Sequence, residues 1–171
     1  MKKKFDDQGD GQTNESRVKH FVYHIIYMFT DALENLLRKE VFIMSASLTF
    51  ELEQFPKGYF LAWNVSTQCQ NTVNVTLKVG NTVYFNGSKN DKSTNLQMIS
   101  QGKRDHNCDG TPILTITVNE ASALKQSVTS GAINDQRARK VGYVYDFCIE
   151  DSTDNDYNDV YVNIVGWAKK G

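Results

Sequence analysis

The spacing of hydrophobic and polar positions changes near residue 45. Over residues 16–40, apolar side chains recur at intervals of three and four, from Val18 to Leu37, which predicts one amphipathic helix. Its wide apolar face needs a partner surface, either the following domain or a second copy of the helix. Residues 1–15 are polar and rich in Asp, Gly, Gln and Asn, which predicts disorder. We therefore expect a disordered tail over 1–15, a helical extension over 16–45 that serves assembly, and a separate domain over 46–171.

Beyond residue 45, apolar and polar residues alternate with period two, as in Leu48–Glu53. Turn signals such as Gly80-Asn81 and Asn86-Gly87 separate short runs rich in β-branched and aromatic residues. These runs cover residues 48–53, 59–63, 72–79, 82–85, 113–118, 141–149 and 160–165. Many short strands with short polar links predict an all-β domain, an antiparallel sandwich or barrel.

Composition narrows the function classes. Hydrophobic residues make up 40% of the 171 residues, which is typical of a folded domain, and the net charge of -1 gives no electrostatic case for a nucleic-acid partner. No apolar run is long enough for a membrane span, and no apolar signal-peptide core follows the basic start at Met1. The three cysteines form no CxxC pair, and the sequence leaves open a Cys69–Cys108 disulfide or free thiols.

The most informative segment is the acidic loop Glu150–Asp159, which carries five carboxylates in ten residues, with Asn155 and Asn158 between them. Such a loop repels itself without a cation, and oxygen ligands without nearby His or Cys favour calcium or magnesium. The number of oxygens favours calcium, and the excess of carboxylates indicates two ions. An EF-hand is excluded, because Asp159 replaces its glycine and Val165 replaces its closing Glu. A solvated acidic hairpin is the alternative.

This loop, the apolar run after it, Trp167 and the C-terminal Gly171 resemble the calcium-dependent fucose/mannose-binding lectins of the Pseudomonas LecB type. The segments Phe50-x-Leu52, Gly58-x-Phe60-x-Ala62-x-Asn64 and Thr72-Val-Asn-Val75 resemble the first strands of that family, so the resemblance covers about residues 48–171. It implies an antiparallel β-sandwich of about nine strands that forms homodimers or homotetramers. It also implies two calcium ions per subunit that bridge the protein to a fucose- or mannose-type glycan.

The resemblance also implies site residues. One calcium ion would be held by four acidic residues: Glu150, Asp154, Asp156 and Asp159. The other would be held by Asn64, Asp154, Asn158 and Asp159, together with the terminal carboxylate of a neighbouring subunit's Gly171. The sugar would contact Val65, Ser66, Thr67, Asp151, Asp154, Asp156 and Asp159. Both the segment 65–71 and the stretch after Asp159 are about two residues longer than in the family, and Val65 in place of a serine hints at mannose.

Two functions are therefore weighed: a lectin without enzymatic activity, and a calcium-stabilised structural or adhesive β domain that binds no sugar. No paired acid and base is visible outside the acidic loop, which disfavours an enzyme. The segment Asp105–Gly110 is predicted to form an Asp-Gly turn, with a third calcium site as the alternative. Lectins of this type lack signal peptides yet meet external glycans, so we expect a cytoplasmic protein with non-classical release.

Overall fold

The structure is a computed structural model that describes residues 44–152 and 154–168, together with Ile26. The described residues from Met44 onward belong to one unit of the chain, Ile43–Gly171. The predicted tail over 1–15 and nearly all of the predicted helical extension lie outside the described residues, so both stay predictions. In the described part of the chain, no helix has the length and apolar character needed to cross a membrane.

Over residues 44–152 and 154–168, nine strands form two antiparallel sheets, which confirms the predicted β-sandwich of about nine strands. The four-stranded sheet has the order β1-β6-β3-β4, and the five-stranded sheet has the order β5-β2-β9-β8-β7. The strands are β1 Ser45–Glu51, β2 Tyr59–Thr67, β3 Val73–Val79, β4 Thr82–Lys89, β5 Gln97–Asp105, β6 Ile113–Asn119, β7 Lys125–Asn134, β8 Lys140–Glu150 and β9 Val160–Ala168.

The period-two pattern explains the core, because alternate residues of a strand face the same side of a sheet. In β3, for example, Val73, Val75, Leu77 and Val79 are buried while the residues between them are not. The other strands supply the same kind of side chain, and the buried core includes Leu61, Val65, Leu114, Ile116, Val118, Phe147, Ile149, Val160, Val162 and Ile164. This apolar layer between the sheets holds the strand ends, and therefore the loops, in fixed positions.

Strand pairing brings the acidic loop to one end of the sandwich. At that end, Val160 of β9 lies opposite both Thr67 of β2 and Ile149 of β8. The opposite end carries Tyr59 of β2 paired with Ala168 of β9. The loops that follow β2 and β8 therefore meet at the same end of the domain.

The structure extends the sequence predictions in three respects. Strands β5 and β7 were not predicted, and β2 continues four residues beyond the predicted end at Trp63. All three cysteines are free thiols, so no Cys69–Cys108 disulfide forms. Between β5 and β6, Gly110 has a φ of 111°, and the exposed Asp109 pairs with Lys57 at 2.9 Å. These features fit the predicted turn.

Candidate functional site

Glu150 is the fixed point of the acidic loop. It ends β8, and its side chain is 0% exposed although it carries a carboxylate. Oε1 accepts hydrogen bonds from the Ser152 amide and hydroxyl, each at 2.8 Å, and Oε2 accepts one from the Tyr157 amide at 3.0 Å. Burial opposes ionisation, but these donors outweigh it and lower the pKa of Glu150 to about 2. Glu150 is therefore ionised at neutral pH, and the loop wraps around it.

The loop backbone is strained where it wraps. Asn155 has a φ of 61° and Tyr157 has a φ of 54°. Asn adopts this left-handed conformation readily, whereas a bulky Tyr does so rarely. Such strain persists only where the surroundings enforce it, and here the Tyr157 amide is held by Glu150. The loop is thus shaped around its own carboxylates rather than left extended in solvent.

A second group of contacts joins the acidic loop to the segment after β2. Asp151 Oδ2 accepts hydrogen bonds from the Cys69 thiol and the Asn71 side-chain amide, both at 2.9 Å. Asp159 contributes through its backbone carbonyl, which accepts from the Thr67 hydroxyl and from the Cys69 amide at 3.2 Å. The Asp159 carboxylate in turn accepts the Asp151 amide at 2.6 Å. These contacts fix the two loops against each other.

Electrostatics in the loop oppose its full ionisation. Burial raises the pKa of Asp159 to about 7, and the carboxylates of Asp151 and Glu150 act in the same direction. The pKa of Asp156 is also raised, by desolvation and by the charges of Asp154 and Glu150. A divalent cation among these oxygens would favour the charged forms instead.

The carboxylates form two adjacent groups with the spacing of metal ligands. In one group Glu150, Asp154 and Asp156 bring ligand atoms within 4.8 Å of one another, and in the other Asp151, Asp159 and Cys69 do the same. Burial and the hydrogen bond to Asp151 raise the pKa of Cys69 to about 12, so this thiol stays protonated and donates to a carboxylate. The remaining donors are oxygens, which fit a hard cation such as calcium.

A polar depression opens beside both groups. Its volume is about 540 Å³, and it is lined by Gln68, Gln70, Asn71, Thr94, Glu120, Asp151, Ser152, Asp154, Asn158 and Asp159. Glu120 and Thr94 line it from outside the two joined loops. The depression thus combines carboxylates, amides and a hydroxyl, the groups that hydrogen-bond a polyhydroxylated ligand.

The structure brings together only part of the predicted site. Glu150, Asp151, Asp154, Asp156, Asn158 and Asp159 lie together in the acidic loop, as their sequence spacing requires. Asn158 donates to Asp156 through both its backbone and its side-chain amide. Gly171 lies outside the described residues, so its role stays a prediction.

The predicted residues of β2 lie elsewhere. Asn64 is in the middle of the strand, opposite Asn163 of β9, three residues or about 10 Å from the strand end at Thr67. The side chain of Val65 is 0% exposed, and that of Thr67 is buried with its hydroxyl on the Asp159 carbonyl. Ser66 occupies the other face of the sheet, because neighbouring residues alternate. The structure thus places these residues within β2, and the predicted roles of Asn64 as a calcium ligand and of Val65, Ser66 and Thr67 as sugar contacts stay predictions.

The segment Gln68–Asn71 lies beside the acidic loop, and the sequence analysis did not name it among the site residues. Cys69 and Asn71 contact Asp151, while Gln68 and Gln70 line the depression. The signal that marks them is the alternation of β2, in which Leu61, Trp63, Val65 and Thr67 all face the core. Continued to its end, this pattern carries the strand past Asn64 and leaves Gln68–Asn71 as the loop.

Three bacterial lectins are among the solved structures similar to this chain. The C-terminal domain of the BC2L-C lectin from Burkholderia cenocepacia is 16% identical, with a TM-score of 0.50 over 74% of this chain and 100% of that domain. The high-affinity mannose-binding lectin of Ralstonia solanacearum is 18% identical, with a TM-score of 0.49 over 71% of this chain and 96% of that one. The Chromobacterium violaceum lectin CV2L, solved with alpha-methyl-fucoside, is 20% identical, with a TM-score of 0.48 over the same shares. At 16% identity, the similarity to the Burkholderia domain shows a shared fold and nothing further.

Sequence comparison gives the family directly. No curated protein sequence matches the chain. A family profile, however, matches residues 53–168, which is more than half of the chain and includes every strand from β2 to β9. The matched span also contains the acidic loop and the segment Gln68–Asn71. The chain therefore belongs to the fucose-binding lectin II (PA-IIL) family of carbohydrate-binding lectins.

Proposed function

We propose that this protein is a calcium-dependent lectin that binds fucose- or mannose-type sugars through two calcium ions and catalyses no reaction. One observation carries the proposal. Two groups of carboxylates with ligand spacing lie side by side in one loop, at the edge of a polar depression, in a member of a fucose-binding lectin family.

The residues have separate tasks in this proposal. Glu150, Asp154 and Asp156 would hold one calcium ion, and Asp151 and Asp159 would hold the other. When bound, calcium supplies open coordination positions that adjacent sugar hydroxyls can occupy together. Gln68, Gln70 and Asn71 line the same depression, and their side-chain amides would hydrogen-bond the remaining hydroxyls.

Isothermal titration calorimetry of the full chain tests the proposal. Methyl α-fucoside and methyl α-mannoside are titrated in calcium, in magnesium and in EDTA, and we expect binding of at least one sugar in calcium and none in EDTA. Asp154→Asn, in the acidic loop, is expected to abolish this binding. Asp109→Asn is the matched control, because this exposed aspartate lies in the turn between β5 and β6.

Each outcome has a distinct meaning. Calcium binding without sugar binding would favour the alternative, a calcium-stabilised structural or adhesive domain. Sugar binding that persists in EDTA would refute the role of calcium. A calcium titration that gives two ions per chain supports the two-ion site, and a third ion lost in Asp109→Asn would restore the third calcium site as an explanation.

Assembly forms part of the same proposal. The family resemblance favours a homodimer or homotetramer in which a neighbouring subunit's Gly171 completes the second calcium site. Adding one residue beyond Gly171 tests this role, because it displaces the terminal carboxylate. We expect weaker calcium binding in the extended chain, and unchanged affinity would refute the role of Gly171.

A further inference from the structure

Lys89 is a buried lysine at the end of β4. It is only 4% exposed, and its Nζ donates to the Cys69 carbonyl at 2.5 Å and to the Asp91 carbonyl at 2.9 Å. The Asp91 carboxylate lies 3.3 Å from the same Nζ. Lysine is almost never fully buried unless it is paired, because an ammonium group that leaves water loses its hydration. The contacts of Lys89 therefore hold the segment after β2 against the loop that follows β4.

Cys69 is the residue through which Lys89 reaches the acidic loop. It is fully buried, and its thiol donates to Asp151 Oδ2 at 2.9 Å. Its amide donates to the Asp159 carbonyl at 3.2 Å, and its own carbonyl accepts from Lys89. Cys69 is thus held at its amide, its thiol and its carbonyl, and the first two of these contacts lead to residues of the acidic loop. Lys89 supplies the third, which fixes the peptide group between residues 69 and 70.

The peptide after Cys69 leads directly into the polar depression. Gln70 and Asn71 both line it. The Asn71 side-chain amide donates to Asp151 Oδ2 at 2.9 Å, and the Asn71 backbone amide donates to the Cys69 Sγ at 3.2 Å. A buried carbonyl that loses its donor costs free energy until it finds another, so removing the ammonium group favours a rotated peptide. Rotation would move Gln70 and Asn71 and would disturb the Asn71 contact with Asp151.

We propose that Lys89 is a positioning residue of the sugar site. It fixes the peptide after Cys69 and thereby holds Asn71 and the Asp151 carboxylate in the geometry that receives a sugar. The inference rests on the proposed function, but it names a residue outside both carboxylate groups and outside the lining of the depression. Replacing Lys89 alters the sugar affinity through the position of its neighbours and removes no direct contact with the sugar.

The charge of Lys89 gives an alternative route to the same site, and Lys125 separates the two. Lys125 is exposed at the start of β7, and its Nζ donates to Asn155 Oδ1 in the acidic loop at 2.6 Å. Removing either ammonium group takes a positive charge away from the carboxylates, which favours calcium binding. A role through charge alone therefore predicts the same change in both lysine variants. A positioning role predicts weaker sugar binding in the Lys89 variant only.

Isothermal titration calorimetry of the full chain in saturating calcium tests the proposal, with methyl α-fucoside and methyl α-mannoside as the probes. Lys89→Met is expected to bind the preferred methyl glycoside about tenfold more weakly, the effect of about one hydrogen bond. Calcium is still expected to bind to the group that contains Glu150, because Lys89 lies outside that group. Lys125→Met is expected to keep the sugar affinity within about threefold, as for an exposed charge.

A stability control separates positioning from a general loss of folding free energy. Leu61→Ala removes a fully buried side chain of β2, opposite Gly166 and away from the acidic loop, so it destabilises the fold without touching the site. Circular dichroism checks that each variant is folded under the conditions of the titration, and folded Leu61→Ala is expected to keep the sugar affinity. Lys89→Gln is the second variant, which loses the charge but keeps one donor on a shorter side chain. We expect its sugar affinity to lie between those of the unmodified chain and Lys89→Met.

The outcomes separate this inference from the proposed function. Equal sugar affinity in the unmodified chain and in folded Lys89→Met overturns the positioning role, while the lectin proposal stands. An equal loss in Leu61→Ala or in Lys125→Met overturns it as well, because the effect then follows from stability or from charge. Where Lys89→Met does not fold in calcium, Lys89→Gln decides in its place, and undiminished sugar binding by that variant overturns the role. If the unmodified chain binds neither methyl glycoside in calcium, the proposed function fails and the positioning role fails with it.

Discussion

Lys89, which ends β4 and is only 4% exposed, joins the segment after β2 to the loop between β4 and β5, and replacing it by methionine perturbs this contact. Methionine keeps the length and the apolar stem of lysine but removes the ammonium group. The carbonyls of Cys69 and Asp91 then lose the donor that reaches them at 2.5 and 2.9 Å. Asp91 is exposed, so water can replace the lost donor at its carbonyl, whereas Cys69 is fully buried and its carbonyl stays without a donor.

The expected loss of stability follows from these groups. Leaving a buried acceptor without a donor costs about 1–3 kcal/mol. The buried Cys69 carbonyl bears that cost, and the Asp91 carbonyl, which water can reach, loses the net contribution of one hydrogen bond, about 0.5–1.5 kcal/mol, so we expect the free energy of unfolding to fall by about 2–4 kcal/mol. For a domain of this size that loss corresponds to a decrease in Tm of about 8–16 °C.

Urea unfolding followed by circular dichroism measures the change, first in EDTA so that bound calcium does not contribute. Lys103→Met is the matched control, because Lys103 is exposed on β5, and it is expected to change stability by less than about 0.5 kcal/mol. A loss in Lys89→Met no larger than that of the control would refute the reasoning.

Three further predictions concern the calcium site, the buried histidine and the register of β2. Calcium at about one hundred times its Kd is expected to stabilise the fold by about 2.7 kcal/mol per ion in thermal unfolding, and Glu150→Gln to remove most of this gain. Burial lowers the pKa of His106, so folding favours the neutral imidazole. The contribution of His106 to the free energy of unfolding is therefore complete above the pKa of the unfolded chain, about 6.5, and is lost as the pH falls below it. His106→Gln is expected to flatten the pH dependence of the unfolding free energy between about pH 7 and pH 5. Asn71→Ala is expected to weaken calcium-dependent sugar binding by calorimetry, whereas Asn64→Ala is not.

Each of these predictions has a contrary result. Equal Tm values in calcium and EDTA would contradict the calcium site. A pH dependence that is the same in His106→Gln and in the unmodified chain would remove His106 as its source. Loss of sugar binding in Asn64→Ala, with none in Asn71→Ala, would support the sequence-based assignment instead.

Local patterns predicted the fold because most strands are buried on one face. The alternation in β3, where four apolar residues face the core, identifies a strand without any knowledge of its partners. Strand β7 lacks this signal, because it is the edge of the five-stranded sheet and is exposed at most of its positions. In β5, Gly102 occupies an inward position, since a Cβ there would lie 2.7 Å from the Trp63 ring. Neither strand therefore shows the apolar alternation that marks the others.

The acidic loop and the residues of β2 also differ in how far the sequence predicts their positions. The loop could be predicted because its carboxylates are close in sequence, so composition alone brings them together. The residues from β2 depend on where that strand ends, and a longer strand leaves the face of every earlier residue unchanged, so the alternation over residues 59–63 does not mark the end. The strand continues four residues beyond Trp63, and the pattern of inward residues looks the same with either end. Pairing fixes the end at Thr67, which lies opposite Val160 and donates its hydroxyl to the Asp159 carbonyl, 92 positions away in sequence. The assignment of Asn64 depends on this long-range contact, and the comparison of Asn64→Ala with Asn71→Ala tests it directly.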